Sequence, residues 1–486
     1  MPDNLQTLRP KNIWKNFEEL CKIPRPSKKE QQVASFIKNF AENLNLDYKE
    51  DETGNIVVKK PATPGMENKK KVILQGHLDM VPQKNMDKKH DFEKDPIEPI
   101  IDGEWVKANG TTLGADNGIG VAAAMAVLES KDLPHPSVEA LFTMDEETGM
   151  TGAFGLKPGF LDGDILLNMD SEEDGELIIG CAGGMNSSAE FALPNVKTRD
   201  GSVYFHIAVQ GLKGGHSGTE INIGRGNANK ILIRLIWETY RLFDIQVSKI
   251  EGGGMRNAIP REAFAWIAIP ENKAKPFRSY FQQFTQKVKS ELQSSEPDLY
   301  LTLKETEAFS NVFEPSVQQK IINAVYACPH GVIRSTPGMP EVPETSTNLA
   351  SLQTNENNFK VFSLMRSSVD TAKEDLGNQM KALFELAGAK VENSGAYPGW
   401  QPKPDSTILK VMQDIYVKKF KEQPKVEAIH AGLECGIIGS VYPNLDMLSF
   451  GPTIQFPHSP DERVNIKAVE KFWDYLTDAL KNIPEK

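Results

Sequence analysis

Two histidines and several acidic residues sit where apolar runs of this chain end, and their types suit divalent-cation chemistry. His77 and Asp79 occur in QGHLDMV, directly after the apolar run 71–76. In an extended chain a spacing of two puts both side chains on one face, although packing alone explains such a pair equally well. Asp116 lies in GTTLGADNGIGV, among Gly114, Gly118 and Gly120. There an aspartate can simply cap the helix that follows. The loop lacks both the spacing and the lysine of a phosphate-binding loop. Glu146 and Glu147 form the centre of TMDEETG, where three consecutive acids repel one another unless a cation or solvent relieves them. Asp170 ends DILLNMD, and His458 stands in SFGPTIQFPHSPDE.

Each of these has a dull explanation alone; the elements that carry them change the weighing. KVILQG (71–76), VEALFTM (138–144) and DILLNM (164–169) read as buried strands, and GIGVAAAMAVLES (118–130) as a helix. Strands separated by helical segments predict an α/β sheet with parallel pairs, in which ligands bind beyond the carboxyl ends of the strands. Four strands, DMLSF included, deliver His77, Glu147, Asp170 and, after a longer loop, His458 past that end, and Asp116 joins them from a helix mouth. Two imidazoles and three carboxylates match the ligands of two divalent ions about 3.5–4 Å apart. One carboxylate must bridge, and Asp116 is the candidate. Glu146 is then free to act as general base, and Asp79 to orient His77.

At the N-terminal side, Ser27-x-x-Glu30 has the form of a capping box before a helical stripe of Val33, Phe36, Ile37, Phe40 and Leu44. A hairpin turn is expected at Thr53–Gly54–Asn55. The character changes near residue 183. VYFHIAVQG, ANKILIRLIWETYRLF, IQVSKIEG, EAFAWIAI, KPFRSYFQQFTQKVKSEL and LYLTLKE give the order βαββαβ of a ferredoxin-like unit. A similar alternation recurs from VQQKIINAVYA to AKVENSG. After Gly399–Trp400 the α/β character returns. The expected fold class is therefore α/β: a mixed, largely parallel catalytic sheet split over 1–182 and 399–486. An α+β lid of ferredoxin-like units is inserted at 183–398.

The chain of 486 residues is too long for one ordinary domain, and its 39% hydrophobic and 25% charged content is that of a globular protein. A net charge of −11 disfavours non-specific binding to nucleic acid or anionic membrane. The first thirty residues hold no apolar run like a secretory signal, and no stretch is long enough to span a bilayer. Cys21, Cys181, Cys328 and Cys435, widely spaced, read as reduced thiols of a cytoplasmic protein.

The segments GHLDMV, GADNGIGVA, DEETGMTGA, NMDSEE and FPHSPDE, in this order along nearly the whole chain, resemble those of the aminoacyl-histidine (Xaa-His) dipeptidases. These are dinuclear-zinc exopeptidases related to carnosinases, aminoacylases and desuccinylases. The resemblance implies two Zn2+ per chain, one on His77 and Asp170, the other on Glu147 and His458, with Asp116 bridging. It implies Glu146 as base and Asp79 as its support. It makes His216 of GGHSG the lid histidine that polarises the scissile carbonyl. Arg256 and Asn257 of GGGMRNAIP and Arg366 of SLMRSS are donors suited to a substrate carboxylate. Gly432 and Glu434 of HAGLECG would lie near the site, Glu434 pairing with the substrate amine. His90, His135, His206 and His330 match no motif.

The expected reaction is attack of an activated water on a dipeptide, of Xaa-His or broader, carnosine-like type. An N-acyl-amino-acid deacylase using the same metals is one alternative, and a non-catalytic binding protein of the same fold another; a two-metal phosphoesterase finds no motif. Histidine and carboxylate ligands also suit Mn2+ or Co2+. A homodimer through the lid stays open, since a doubled lid can replace a partner's contribution.

Overall fold

The computed structural model describes residues 4–486. Its chain forms two compact units, one of residues 4–180, 400–428 and 433–486, the other of 181–399 and 429–432. The first is built on a mixed eight-stranded sheet. Its strands in chain order are β1 (Asp47–Glu50), β2 (Ile56–Lys60), β3 (Val72–His77), β4 (Val138–Thr143) and β5 (Ile165–Asn168), then β6 (Glu176–Cys181), β7 (Lys425–Ile429) and β8 (Asp446–Ser449). They lie side by side as β1-β2-β4-β3-β5-β8-β6-β7. The centre, β4-β3-β5-β8, is parallel, and β2 joins β4 antiparallel. Strands β3, β4 and β5 are buried along their whole length. This is why they read as apolar runs rather than as alternating ones.

Helices α1 (Lys11–Cys21), α2 (Gln31–Asn43) and α3 (Ala115–Glu129) flank this sheet. α3 buries residues all round its circumference, as a central helix must. The expected capping box does not form. Glu30 makes no side-chain bond to its own helix; its carboxylate instead accepts from the Lys28 and Asp145 N–H groups. Ser27 Oγ donates to Asp79 at 2.7 Å. Both residues are taken by tertiary partners, which outweigh a local cap worth about 1 kcal/mol. The hairpin at 53–55 joins β1 to β2 as expected. A second, four-stranded sheet runs Ile454–Gln455, Arg463–Asn465, Trp105–Ala108, Pro99–Asp102, and the loop bearing His458 connects its first two strands.

The other unit centres on a nine-stranded sheet. Strands Ser202–Gln210, Gln246–Gly252, Ala263–Pro270 and Tyr300–Glu305 alternate with helices Ala228–Thr239 and Glu271–Leu292. Four more, Gly183–Ala192, Met339–Thr354, Asn358–Ser367 and Lys390–Tyr397, pack with helices Pro315–Ala327 and Asp370–Leu386. The sequence pattern misses the sixteen-residue strand Met339–Thr354. Its segment MPEVPETSTNLASLQT is polar and contains two prolines, yet Thr345, Ser346, Thr347 and Asn348 are all buried. Among the described residues, no helix is long and apolar enough to cross a membrane, and all four cysteines are buried outside any disulfide.

One close approach ties the first core to the strand-end region. A Cβ built on Gly451 would meet the Ser171 carbonyl oxygen at 1.8 Å, next to Asp170. The Gly451→Ala variant is expected to lose about 1–3 kcal/mol of stability, the usual cost of forcing volume into a packed core. Denaturant unfolding beside the wild type checks this, and an unchanged midpoint would show that the backbone yields freely.

Candidate metal centre

His77 ends β3 and is almost wholly buried. Its Nδ1 faces Asp79 Oδ1 at 3.2 Å, and its Nε2 faces Asp116 Oδ1 at 3.0 Å and Asp170 Oδ1 at 3.3 Å. On the other side His458 Nε2 lies 3.3 Å from Asp116 Oδ2 and 3.0 Å from Glu147 Oε2. Each oxygen of Asp116 therefore looks at one imidazole. Two groups of three follow, His77–Asp116–Asp170 and Asp116–Glu147–His458, and within each the ligand-type atoms lie within 4.8 Å of one another. Asp116 belongs to both.

The backbone around Asp116 is irregular. Asp116 (ψ 113°) and Asn117 (φ −101°) are not helical although they stand in the first turn of α3, and the Asp116–Asn117 peptide is cis. Capping is thus not what this aspartate does. Asn117 Nδ2 donates to Asp170 Oδ1 and to the Met169 carbonyl, both at 2.7 Å, and so fixes Asp170 at the end of β5.

Asp79 is a hub. Its carboxylate takes the His77 ring, the Ser27 hydroxyl, and the N–H groups of Glu146 (3.0 Å) and Glu147 (3.2 Å). Burial alone would raise its carboxyl, but these bonds outweigh it and hold the pKa at about 2. The Glu146 carboxyl, by contrast, is pushed well up, first by burial and further by Asp170, Glu434 and Glu147. Burial also lifts Asp170 to about 6. His458 rises to about 11 because Asp116 and Glu147 bond to it.

The donor set fits divalent cations on chemical grounds. Three carboxylates and two imidazoles converge, and Glu147 Oε1 is buried with no hydrogen-bond partner. Carboxylates gathered this closely need positive charge nearby, and borderline divalent ions such as zinc bind such mixed oxygen and nitrogen sets. Glu434, at the start of helix Glu434–Val441, is fully buried and accepts at one oxygen from Gln75 Nε2 (2.6 Å) and Thr143 Oγ1 (2.7 Å). Its other oxygen has no partner, and burial raises its pKa to about 7. Gln75, Thr143 and Asn168, polar residues inside apolar strands, were a legible signal that sequence reasoning passed over; Asn168 Nδ2 donates to Gln75 Oε1 at 2.5 Å.

The remaining predicted residues lie in the other unit. His216 Nδ1 accepts from the Gly218 and Thr219 N–H groups at 3.3 and 3.2 Å, which leaves the proton of the neutral ring on Nε2. That atom is 3.4 Å from Arg366 Nη2. Two donors thus face each other, and neither can satisfy the other. Burial, and then Arg366, lower the His216 pKa. Arg366 also donates to Tyr397 Oη at 3.0 Å, and its buried Nε has no partner. His430, missed in the sequence although it opens HAGLECG, is buried, donates to or accepts from Ser346 Oγ at 2.7 Å, and has an unpartnered Nδ1. Arg256 is drawn onto the sheet: it stacks 4.7 Å over the Phe362 ring and donates to Ser188 Oγ at 2.9 Å. The Asn257 carbonyl accepts from Ser217 N–H, and Gly432 ends the short 429–432 segment.

Comparisons with known proteins place the whole chain. The profile of peptidase family M20/M25/M40 matches residues 73–482. The chain is 46% identical over 482 residues, 99% of each chain, to the cytosol non-specific dipeptidase of Escherichia coli (strain K12). It superimposes on the crystal structure of aminoacylhistidine dipeptidase from Vibrio alginolyticus with a TM-score of 0.96 and 48% identity, covering 100% of this chain and 99% of that one. A tripeptidase of Staphylococcus aureus shares the fold at a TM-score of 0.61 and 16% identity, over 98% of this chain and 99% of that one.

Asp79 supplies a test that needs no metal. Asp79→Ala strips the buried acceptor from a ring, a hydroxyl and two backbone amides, so the metal-free protein should lose about 3–5 kcal/mol of stability. Urea unfolding in excess chelator measures it; a loss below about 1 kcal/mol would mean solvent replaces the carboxylate.

Proposed function

We propose, from the premise that this chain belongs to peptidase family M20/M25/M40, that it is a cytosolic metallo-dipeptidase hydrolysing Xaa-His and related dipeptides. The observation that carries the reading is the division of Asp116, one oxygen toward His77 and one toward His458. His77, Asp116 and Asp170 would hold one ion, and Asp116, Glu147 and His458 the other. Zinc is the metal proposed, with Mn2+ or Co2+ as substitutes. When bound, such a pair supplies Lewis acidity, which makes water a nucleophile near neutral pH and polarises a carbonyl.

The chain's own residues then act as follows. Glu146 takes the proton of the attacking water and returns it to the departing amine; its raised pKa suits a group that must both accept and release a proton. Asp79 holds the Glu146 backbone and the His77 ring in place. His216, with its proton on Nε2, donates to the carbonyl oxygen as negative charge develops there, a contribution of roughly 2.7–4 kcal/mol. Arg366 takes the substrate carboxylate, assisted by Arg256 and Asn257. Glu434, through its unpartnered oxygen, takes the free amine, with Gly432 alongside.

The second unit is read as the lid and the first as the catalytic domain, with the divisions 1–182, 183–398 and 399–486. The lid's strand order, Tyr300–Glu305, Ser202–Gln210, Ala263–Pro270, Gln246–Gly252 and then the second set, supports two ferredoxin-like units side by side. A doubled lid of this kind supplies within one chain what a homodimer would supply through a partner. The relatives' names, a cytosol non-specific dipeptidase and an aminoacylhistidine dipeptidase, support dipeptides as substrates and the cytosol as the compartment.

Glu146→Gln should retain metal but lose about 10²–10⁴-fold in kcat. Metal analysis and steady-state rates on the same preparation check it; activity near that of the wild type removes Glu146 from the proton-transfer role. Chelated enzyme restored with Zn2+, Mn2+ or Co2+ should regain cleavage of Xaa-His dipeptides and not of N-acetyl amino acids. The reverse preference would make the protein a deacylase.

A further inference from the structure

The geometry points to Glu462 as a positioning residue that joins the segment bearing His458 to the segment bearing Asp116. This inference rests on the metal-centre reading above and adds a residue to it. Glu462 lies four positions beyond His458 and is 2% exposed. Its carboxylate accepts four consecutive backbone N–H groups. Oε2 takes Leu113 at 2.7 Å and Gly114 at 3.0 Å, and Oε1 takes Ala115 at 2.7 Å and Asp116 at 3.3 Å. One side chain therefore takes the two amides leading into α3 and the first two of the helix itself, which have no partner of their own there.

Three further observations say that the arrangement positions ligands and does not merely fill a cap. First, the bond from Asp116 N–H reaches the residue whose two carboxylate oxygens face the two imidazoles. Second, the loop that presents His458 is in a costly conformation: Phe456 and His458 have φ of 55° and 59°, values that side-chain-bearing residues hold only when their surroundings impose them. Glu462 N–H closes this loop onto the Ser459 carbonyl at 3.0 Å, while Arg463 stacks 5.3 Å over the Phe456 ring and 4.4 Å over Trp105. Third, the 113–116 segment is gripped from its other side by Arg25, 3% exposed, which donates to the Gly114 carbonyl and to those of Leu78 and Asp79. Gly114 (φ 69°) has no room for a side chain there, since a Cβ would meet Arg25 Nη2 at 2.6 Å. Glu462 and Arg25 thus clamp three ligand-bearing stretches, those of His77, Asp116 and His458, from opposite sides.

A glutamine at 462 keeps the shape but offers one acceptor oxygen where the carboxylate offered two. At least one edge of the 113–116 amide row must turn away, and Asp116 shifts relative to His458. The metal-free protein, titrated with Zn2+ against a chromophoric chelator, should bind about 10–100-fold more weakly as Glu462→Gln than as wild type, the usual effect of losing a group that orients a metal ligand. The Co2+-loaded variant should show a changed visible spectrum, and kcat should fall with KM little altered. Ile483→Ala, a core truncation at the chain's end, controls for lost stability and should keep wild-type metal affinity and spectrum. If Glu462→Gln is too unstable to purify, Glu462→Asp, which retains the charge but withdraws the acceptors by one carbon, should show the same weakening. Unchanged Zn2+ affinity and Co2+ spectrum in the Glu462 variant overturn the inference while leaving the metal centre intact, as does an equal loss in Ile483→Ala. A wild-type protein that takes up no metal overturns the metallopeptidase reading and this inference together.

Discussion

The first unit is organised around a concentration of negative charge in a place where water cannot disperse it. Asp116, Glu147 and Asp170 present oxygens to the same two imidazoles, and Asp170, Glu434 and Glu147 lie near enough to Glu146 to add to the rise that burial gives its carboxyl. Carboxylates this close cannot all ionise at ordinary cost without a positive partner. Burial first, and the neighbouring acids after it, raise Asp170 to about 6 and Glu434 to about 7. His458, facing Asp116 and Glu147, is raised to about 11 by those two partners. Divalent ions relieve the same repulsion more fully, and the surrounding structure then reads as what keeps the acids together when they would otherwise part. Asp79 pins the amides of Glu146 and Glu147, Asn117 pins Asp170, and Glu462 and Arg25 hold the backbone on either side of Asp116.

The second unit carries the opposite problem. His216 and Arg366 point donors at each other, Arg366 has a buried N–H without a partner, and His430 keeps an unpartnered nitrogen. A buried donor with nothing to bond is costly, so this cluster is short of acceptors, as the first unit's acids are short of positive charge.

How far this was legible in the sequence depended on where the information lay. His77, Glu147 and Asp170 announced themselves because charged side chains followed apolar runs, and the parallel strands β3, β4 and β5 are buried throughout and so read as largely hydrophobic segments. The hairpin at 53–55 was equally plain from its turn residues. Ser27 and Glu30 misled: their spacing has the form of a helix cap, yet one bonds Asp79 and the other Asp145 N–H. Met339–Thr354 was invisible because its burial is achieved with threonine, serine and asparagine. Its backbone is satisfied by Asn358–Ser367 and Gly331–Thr336 on either side, a pairing that no local propensity encodes.

By itself the chain determined the kinds of atoms available for chemistry and the strand ends at which they would stand, since both follow from residue type and short-range periodicity. Only the tertiary structure decided that one Asp116 oxygen meets His77 and the other His458, that His216 and Arg366 oppose their donors, and that Glu462 caps a helix mouth 346 positions away from its Asp116 contact. These depend on the direction of single bonds between segments remote in sequence. Such directions are set by the packing of the whole unit rather than by any neighbour along the chain.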